Sequence, residues 1–425
     1  MPVPAPARAP DAMLDHEAVW AWKRPYLAAA AAGAFEGEAA PQLHAWADHH
    51  PTARAYARFR GAVARHGRDW RRWPGRMGRG QLAPGDVDAE EERLHLFCQW
   101  AMDRQLGELA GRVEARGQLL ALDLAVGSNP AGFDVWQEQD LFVHGASVGA
   151  PPDFLFSLGQ DWGFPPMHPW RSRESGHRHL RDCLRHHLAH ARLLRLDHVM
   201  GLHRLFWVRP GGGGCYVRYP TEELFALTCL EAWRRGATLV GENLGTVPME
   251  VHEALARHGV LGTWVQQAFW WGLLHGGFQA APEASVASFS THDMPTFAGF
   301  WSGADIEDRR DLGLLDERAA AAEHEGRDGL RRAALGYLGT TPQASMAEAF
   351  AASVGELADG AAELAVVNAE DLWFEPRPQN VPGTLHERPN WRRVAALPLE
   401  DWDEAPATAE ALARLARRSL PPGPA

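Results

Sequence analysis

The chain has 425 residues, 46% of them hydrophobic, and a formal net charge of −12. That length buries a large core as an α/β barrel or as two to three smaller domains, and the hydrophobic content argues against a disordered chain. The negative balance disfavours binding to a nucleic-acid backbone or an anionic membrane surface, and no apolar run reaches the ~18 residues of a membrane span. A single lysine, Lys23, all but removes Schiff-base chemistry and excludes a Walker A loop. Four cysteines, Cys98, Cys183, Cys215 and Cys229, lack Cys-x-x-Cys spacing and suit a reducing cytoplasm. There are 18 tryptophans. Most are expected under loops and in cores, the remainder as stacking platforms for sugar rings.

Residues 1–12 are rich in Pro and Ala, carry no apolar stretch of the signal-peptide type, and read as a flexible tail. Residues 13–117 are expected to form a helical subdomain, with Glu91 to Arg116 as one long amphipathic helix. The texture changes at Leu119 to Val126, a short apolar run that reads as a strand buried on both faces. Gly127 to Pro169 is irregular and Gly/Pro-rich, and loops of that length are usually functional. Helix and strand then alternate: a helix over Arg173 to Leu194, strands at 194–200, 237–241, 262–269, 286–291 and 364–368, and a helix from Pro220 to Arg235. Residues 118–391 are therefore assigned to a catalytic barrel portion and 392–425 to a C-terminal helix and tail. The fold class is α/β, a TIM-type (β/α)8 barrel with a helical insertion; six of its eight strands are visible and the first two are not found.

Three segments end strands with acids: Arg195-Leu-Asp197-His-Val-Met-Gly201, Gly241-Glu242-Asn-Leu-Gly245 and Ser290-Thr-His292-Asp293. In a parallel barrel the C-terminal strand ends meet at one face, so the three acids are expected to converge. Paired carboxylates cleave acetals through an oxocarbenium-like transition state. A short, stiff aspartate suits the nucleophile, and a longer glutamate suits the proton donor that later deprotonates the acceptor. Arg195 shares a strand face with Asp197 and is expected to keep it ionised. Glu242 is expected to need its pKa raised by nearby Asp197 and Asp293. His292 and Asp293 suit sugar hydroxyls. Singly, each acid reads better as a helix cap or surface charge than as a catalytic group; the three strand-end placements together argue for chemistry.

Other features are weaker. His186 and His190 share a helix face, but no third ligand or His-Glu-x-x-His motif accompanies them, so a solvated face is preferred and no metal is expected. Gly211 to Gly214 lacks the Lys-Ser/Thr of a phosphate loop and reads as a flexible loop following the fourth barrel strand.

The three acid segments resemble those of the 4-α-glucanotransferases (amylomaltase, or disproportionating enzyme), of the wider α-amylase superfamily. Gly149-Ala-Pro-Pro-Asp153 with Gly159-Gln-Asp-Trp162-Gly163, Asp134-Val-Trp136, Tyr216-Val-Arg-Tyr-Pro220, and Asn380-Val-Pro-Gly-Thr384 with Asn390-Trp391 extend the resemblance from about Asp15 to Trp391. It implies Asp197 as nucleophile, Glu242 as acid/base and Asp293 as a third acid gripping the distorted sugar. It implies Arg195, His292, Asp134, Trp136 and Trp162 as substrate-binding residues. The implied reaction moves α-1,4-glucan segments between maltodextrins or glycogen-derived oligosaccharides by a retaining double displacement, with no cofactor. A glucan hydrolase and a non-catalytic carbohydrate-binding barrel are the alternatives. Family members begin with two further βα units, so a partner chain or a longer native chain is expected to supply the missing strands. Met294 stands where the family more usually has Asn, a departure bearing on acceptor preference.

Overall fold

The computed structural model describes residues 13–152 and 159–416. The proposed tail over 1–12, Asp153 and the last residues of the C-terminal tail lie outside the described residues. Two compact units emerge: Glu17–Val260, and the described parts of Met1–His16 and Leu261–Ala425.

Among the described residues ten strands occur in chain order: β1 (Ala121–Leu124), β2 (Ser147–Ala150), β3 (Gln160–Asp161), β4 (Leu193–Leu196), β5 (Arg204–Val208), β6 (Gly214–Arg218), β7 (Thr238–Gly241), β8 (Leu261–Val265), β9 (Ser285–Ser288) and β10 (Leu364–Val366). In the first unit β1, β4 and β7 run parallel, with Asp123 opposite Arg195 and Arg195 opposite Val240. Helices Arg178–Leu188 and Thr221–Trp233 are the crossovers that a parallel pair requires. Leu194, Leu196 and Leu239 pack with Leu184, Leu188 and Phe225 into one core. Period-two alternation then turns Asp123 and Arg195 to the other face. That face of β1 is open, so β1 is not the doubly buried strand expected of 119–126: Asp123 is exposed and Leu122 and Leu124 are half-buried. Among the described residues β1 has β4 as its one strand neighbour.

The stretch 127–169 is not structureless. It holds helix Phe133–Gln137 and strands β2 and β3, which join β5 and β6 in an antiparallel sheet of order β3-β2-β5-β6. The pattern was hard to see because these strands are short and interrupted by Gly and Pro. Gly149 is required there: a Cβ on it would lie 1.9 Å from the Gln160 carbonyl oxygen. Gly211, Gly212 and Gly213, all at positive φ, form the turn between β5 and β6, so the glycine run is a hairpin tip. The helix expected over Arg173 to Leu194 is two helices, Pro169–Glu174 and Arg178–Leu188, broken where Gly176 and His177 both take left-handed backbone. The helices of the 13–117 stretch, including Ala89–Glu114 with Asp88 capping its first turn, belong to the same unit as β1, β4 and β7.

In the second unit β8, β9 and β10 are parallel. The strand expected over 262–269 stops at Val265, and Gln266–Phe269 is helical. Buried Gln266 donates to Glu356 Oε2 (2.7 Å) and accepts from the Ser353 hydroxyl. Helices Glu317–Tyr337 and Met346–Asp359 supply Leu330, Ala334, Phe350 and Val354 to the core around Trp270 and Phe297. Helix Thr408–Leu415 lies within the 392–425 stretch. Among the described residues no helix is long and apolar enough to cross a membrane.

Gly149→Ala is expected to destabilise the first unit by about 1–3 kcal/mol, the range for overpacking against atoms that cannot yield. A lowered urea midpoint checks this; an unchanged midpoint would show that β2 and β3 do not pack this closely.

Candidate active site

The C-terminal ends of β4 and β7 place two acids side by side. Asp197 follows β4 and donates its N–H to the Leu124 carbonyl (3.0 Å); Glu242 follows β7 and donates to Leu196 (3.0 Å). Parallel register therefore fixes both backbones. Arg195, one pleat before Asp197 on the same face, places Nη1 2.7 and 2.9 Å from the two oxygens of Asp123 and 2.9 Å from Asp197 Oδ1. One guanidinium thus bridges carboxylates on adjacent strands. Burial opposes the charge on Arg195, but the bond to Asp123 and the charges of Asp123, Asp197 and Glu242 hold it above its ordinary value.

Glu242 is held at both oxygens. The His198 N–H donates to Oε2 (3.0 Å) and the Leu244 N–H to Oε1 (2.6 Å). His198 reaches this position in left-handed backbone, φ 46 and ψ 61, which is uncommon for a residue with a Cβ and tends to persist at functional sites. The Glu242 carboxyl titrates above the ordinary glutamate range. Burial is the main cause and Asp197 adds to it, against the two N–H donors and Arg195. The expected direction holds, with burial rather than like charge as the larger cause, and Asp293 is not among the causes.

Above these acids, Trp162 meets the His198 ring edge-on at 5.0 Å and stacks on Phe164 at 6.1 Å. Burial depresses the His198 imidazole to about 4 and the Asp197 charge raises it, so it is neutral at pH 7. Asp134 is exposed in the first turn of helix Phe133–Gln137 and lines the same cavity as Asp123, Asp197 and His198. Trp136 does not join them. It is 2% exposed, packs with Phe59 and Trp73, and donates its indole N–H to the Met77 carbonyl (2.8 Å), so the structure makes it a core residue and not a sugar platform.

In the second unit His292 and Asp293 lie in the loop beyond β9. Asp293 accepts from Asn380 Nδ2 (2.6 Å), and His292 Nε2 lies 3.4 Å from Asp293 Oδ2. Trp391, half-exposed and at φ 57, meets the His292 ring at 5.5 Å. Asn390 braces the loop between them by accepting from the Val381 N–H and donating to Thr384. Both motifs were visible in the sequence, but pairing Asn380 with Asp293 requires the fold. Asp123 was missed; its signal was a lone charge inside the apolar run Leu119 to Val126.

His190 Nε2 lies 3.0 Å from Asp103 Oδ1, and the other Asp103 oxygen, Oδ2, accepts the Trp46 indole N–H (2.8 Å). Among the described residues no three His, Cys, Asp or Glu side chains are grouped to hold a metal.

Strand-end carboxylates on a parallel α/β fold, one buried and one paired with arginine, are compatible with chemistry at acetal carbons. A family model described as 4-alpha-glucanotransferase matches residues 5–398, and the chain belongs to this family. It is 37% identical over 349 residues to the 4-alpha-glucanotransferase of Mycobacterium tuberculosis, covering 77% of this chain and 48% of that protein. It is 32% identical over 335 residues to that of Haemophilus influenzae, covering 74% and 48%. Amylomaltase from Corynebacterium glutamicum superposes with a TM-score of 0.80 at 27% identity, over 95% of this chain and 60% of that one. Amylomaltase from Streptococcus agalactiae in complex with acarbose gives 0.78 at 18% identity, over 96% and 80%. The α/β barrel-type fold is thus that of the amylomaltases. The chain spans about half the length of the curated relatives it matches.

The His198 ring resonances are expected to titrate near pH 4, below the ordinary histidine value of 6.5. Asp197→Asn should lower that midpoint further, because the Asp197 charge supports the imidazolium. In the native state the ring binds fewer protons than in the unfolded chain between these two values. The contribution of His198 to stability is therefore present above pH 6.5 and is lost as pH falls toward 4. Ring nitrogen NMR against pH checks this, and a midpoint near 6.5 would refute the buried neutral ring.

Proposed function

We propose that this chain carries the reacting carboxylates of a 4-α-glucanotransferase that transfers α-1,4-glucan segments between maltodextrins, with retention of configuration. The observation that carries the reading is Glu242: a buried carboxyl titrating above its usual range, fixed by two backbone N–H groups, one strand away from an arginine-paired aspartate. A raised pKa lets Glu242 hold its proton to higher pH than an ordinary glutamate, the direction a general acid needs. Glu242 gives its proton to the departing glycosidic oxygen while an Asp197 oxygen attacks the anomeric carbon and the C–O bond breaks. The resulting glycosyl ester is attacked by the 4-hydroxyl of an acceptor glucan. Glu242 takes that hydroxyl's proton and Asp197 leaves as carboxylate. Arg195 orients Asp197. Asp293, held by Asn380, is assigned to sugar hydroxyls together with His292. Trp162 and Asp134 are assigned to substrate contacts, and Trp136 is dropped from that set. No cofactor enters this scheme.

Maltodextrins and glycogen-derived oligosaccharides are the proposed substrates and the cytoplasm is the proposed compartment, supported by four cysteines without a disulfide. A disulfide in protein isolated without reductant would count against that compartment. The one-sided pairing of β1 supports a further proposal: additional strands dock on Ala121–Leu124, from elsewhere in the native chain or from a partner chain. Full activity of the 425-residue chain as a monomer would refute it.

Maltotriose is expected to yield glucose together with longer oligosaccharides; glucose without longer products would establish a hydrolase. Asp197→Asn should remove transfer. Glu242→Gln should lower it by roughly 10²–10⁴-fold with maltotriose and far less with maltosyl fluoride, whose leaving group needs no proton. Equal losses with both donors would remove Glu242 from the acid role.

A further inference from the structure

Helix Arg178–Leu188 places His179 and Cys183 four residues apart on one face. His179 Nε2 lies 3.8 Å from Cys183 Sγ, and His179 Nδ1 lies 3.7 Å from Glu138 Oε1 at the end of helix Phe133–Gln137. Arg178 braces the other Glu138 oxygen at 3.4 Å, and Phe142 meets the imidazole edge-on at 5.6 Å. His179 and Cys183, with His177, His187 and Leu180, line the same cavity as Asp134, Asp197 and His198. Thiol, imidazole and carboxylate thus stand in line, each within reach of the next. Such a line is the arrangement that converts a thiol into a nucleophile.

We propose that Cys183 is a peroxide-oxidisable thiol, activated by His179 and oriented through it by Glu138. His179 takes the thiol proton as the sulfur becomes the nucleophile. The sulfur attacks one oxygen of hydrogen peroxide, the S–O bond forms and the O–O bond breaks. The departing hydroxide takes the His179 proton and leaves as water. Sulfur is oxidised by two electrons to the sulfenic acid and the peroxide is reduced. The electrostatics agree. Burial works against a charge on His179, yet Cys183 and Glu138 hold its pKa up to about 10. The remaining groups facing the pair are Arg178, His177, which lies 3.3 Å from Glu223, and His187, whose Nδ1 lies 2.8 Å from the Cys183 carbonyl oxygen. The other cysteines differ: burial pushes the Cys98 and Cys229 thiols up, and Cys215 sits exposed on β6.

Labelling the 425-residue chain with limiting iodoacetamide, read by peptide mass, tests this without reference to any sugar chemistry. At pH 7 Cys183 is expected to react about tenfold or more faster than Cys98 and Cys229, as a thiolate-rich sulfur should. His179→Gln should remove that advantage and leave the rate at Cys215 unchanged. Glu138→Gln should reduce it in part. Hydrogen peroxide with dimedone should place the first adduct on Cys183. In the wild-type protein the Cys183 rate should depend on pH less steeply than the Cys215 rate. A Cys183 rate no greater than that of Cys98, or one untouched by His179→Gln, overturns the proposal. If His179→Gln does not fold, the wild-type pH profile decides alone: a Cys183 rate that rises in parallel with Cys215 refutes it.

Discussion

The charge balance of the acid cluster rests on one guanidinium. Arg195 Nη1 reaches carboxylates on two adjacent strand ends, Asp123 and Asp197, while Glu242 adds its influence from β7. His198 cannot share this work, because burial holds its imidazole neutral at pH 7. Glu242 stands outside that balance: burial is the main cause that raises its carboxyl and Asp197 adds to it, against the two N–H donors and Arg195. The division between a paired aspartate and a proton-retaining glutamate, on which the proposed chemistry depends, thus follows from the arginine on β4 for Asp197 and from burial for Glu242.

Strand parity and parallel register make that placement possible. Leu194 and Leu196 are committed to the helix-facing core, so Arg195 must take the opposite face. The pairing of Asp123 with Arg195 then follows from β1–β4 register. Backbone bonds do the rest. Asp197 and Glu242 are tied to the strand neighbouring each, and left-handed His198 turns its N–H onto Glu242. A glycine at 198 would adopt this conformation without strain. The presence of histidine there is consistent with its ring contact to Trp162.

Much of this was legible in the chain. Apolar runs of four to eight residues followed by an acid located β4, β7 and β9 to within a few residues, because buried parallel strands leave a strong local signal. The antiparallel sheet was not legible. Its strands are two to five residues long, and β6 is largely exposed, so alternation has too few positions to register. Trp136 misled for a different reason. A motif records which residues recur together and not which face they present, and the indole N–H of Trp136 is spent on Met77. Asp123 and Asn380 escaped because each works through a partner more than 70 residues away in sequence.

The same distinction separates the acids from the thiol cluster. Asp197, Glu242 and Asp293 stand in recognisable strand-end segments, whereas Cys183 and His179 look like ordinary polar positions of a histidine-rich helix. Their spacing gives them a common face, but only the arrival of Glu138 from helix Phe133–Gln137 polarises the imidazole between them. That helix lies inside the stretch read as irregular. Its first turn sends Asp134 into the cavity that Asp197 lines, and its end supplies Glu138 to His179. One short helix is therefore shared by the acid site and the thiol cluster. Its position is set by Val135 and Trp136, both fully in the core. The burial that removes Trp136 from the substrate surface is thus what fixes the groups on either side of it.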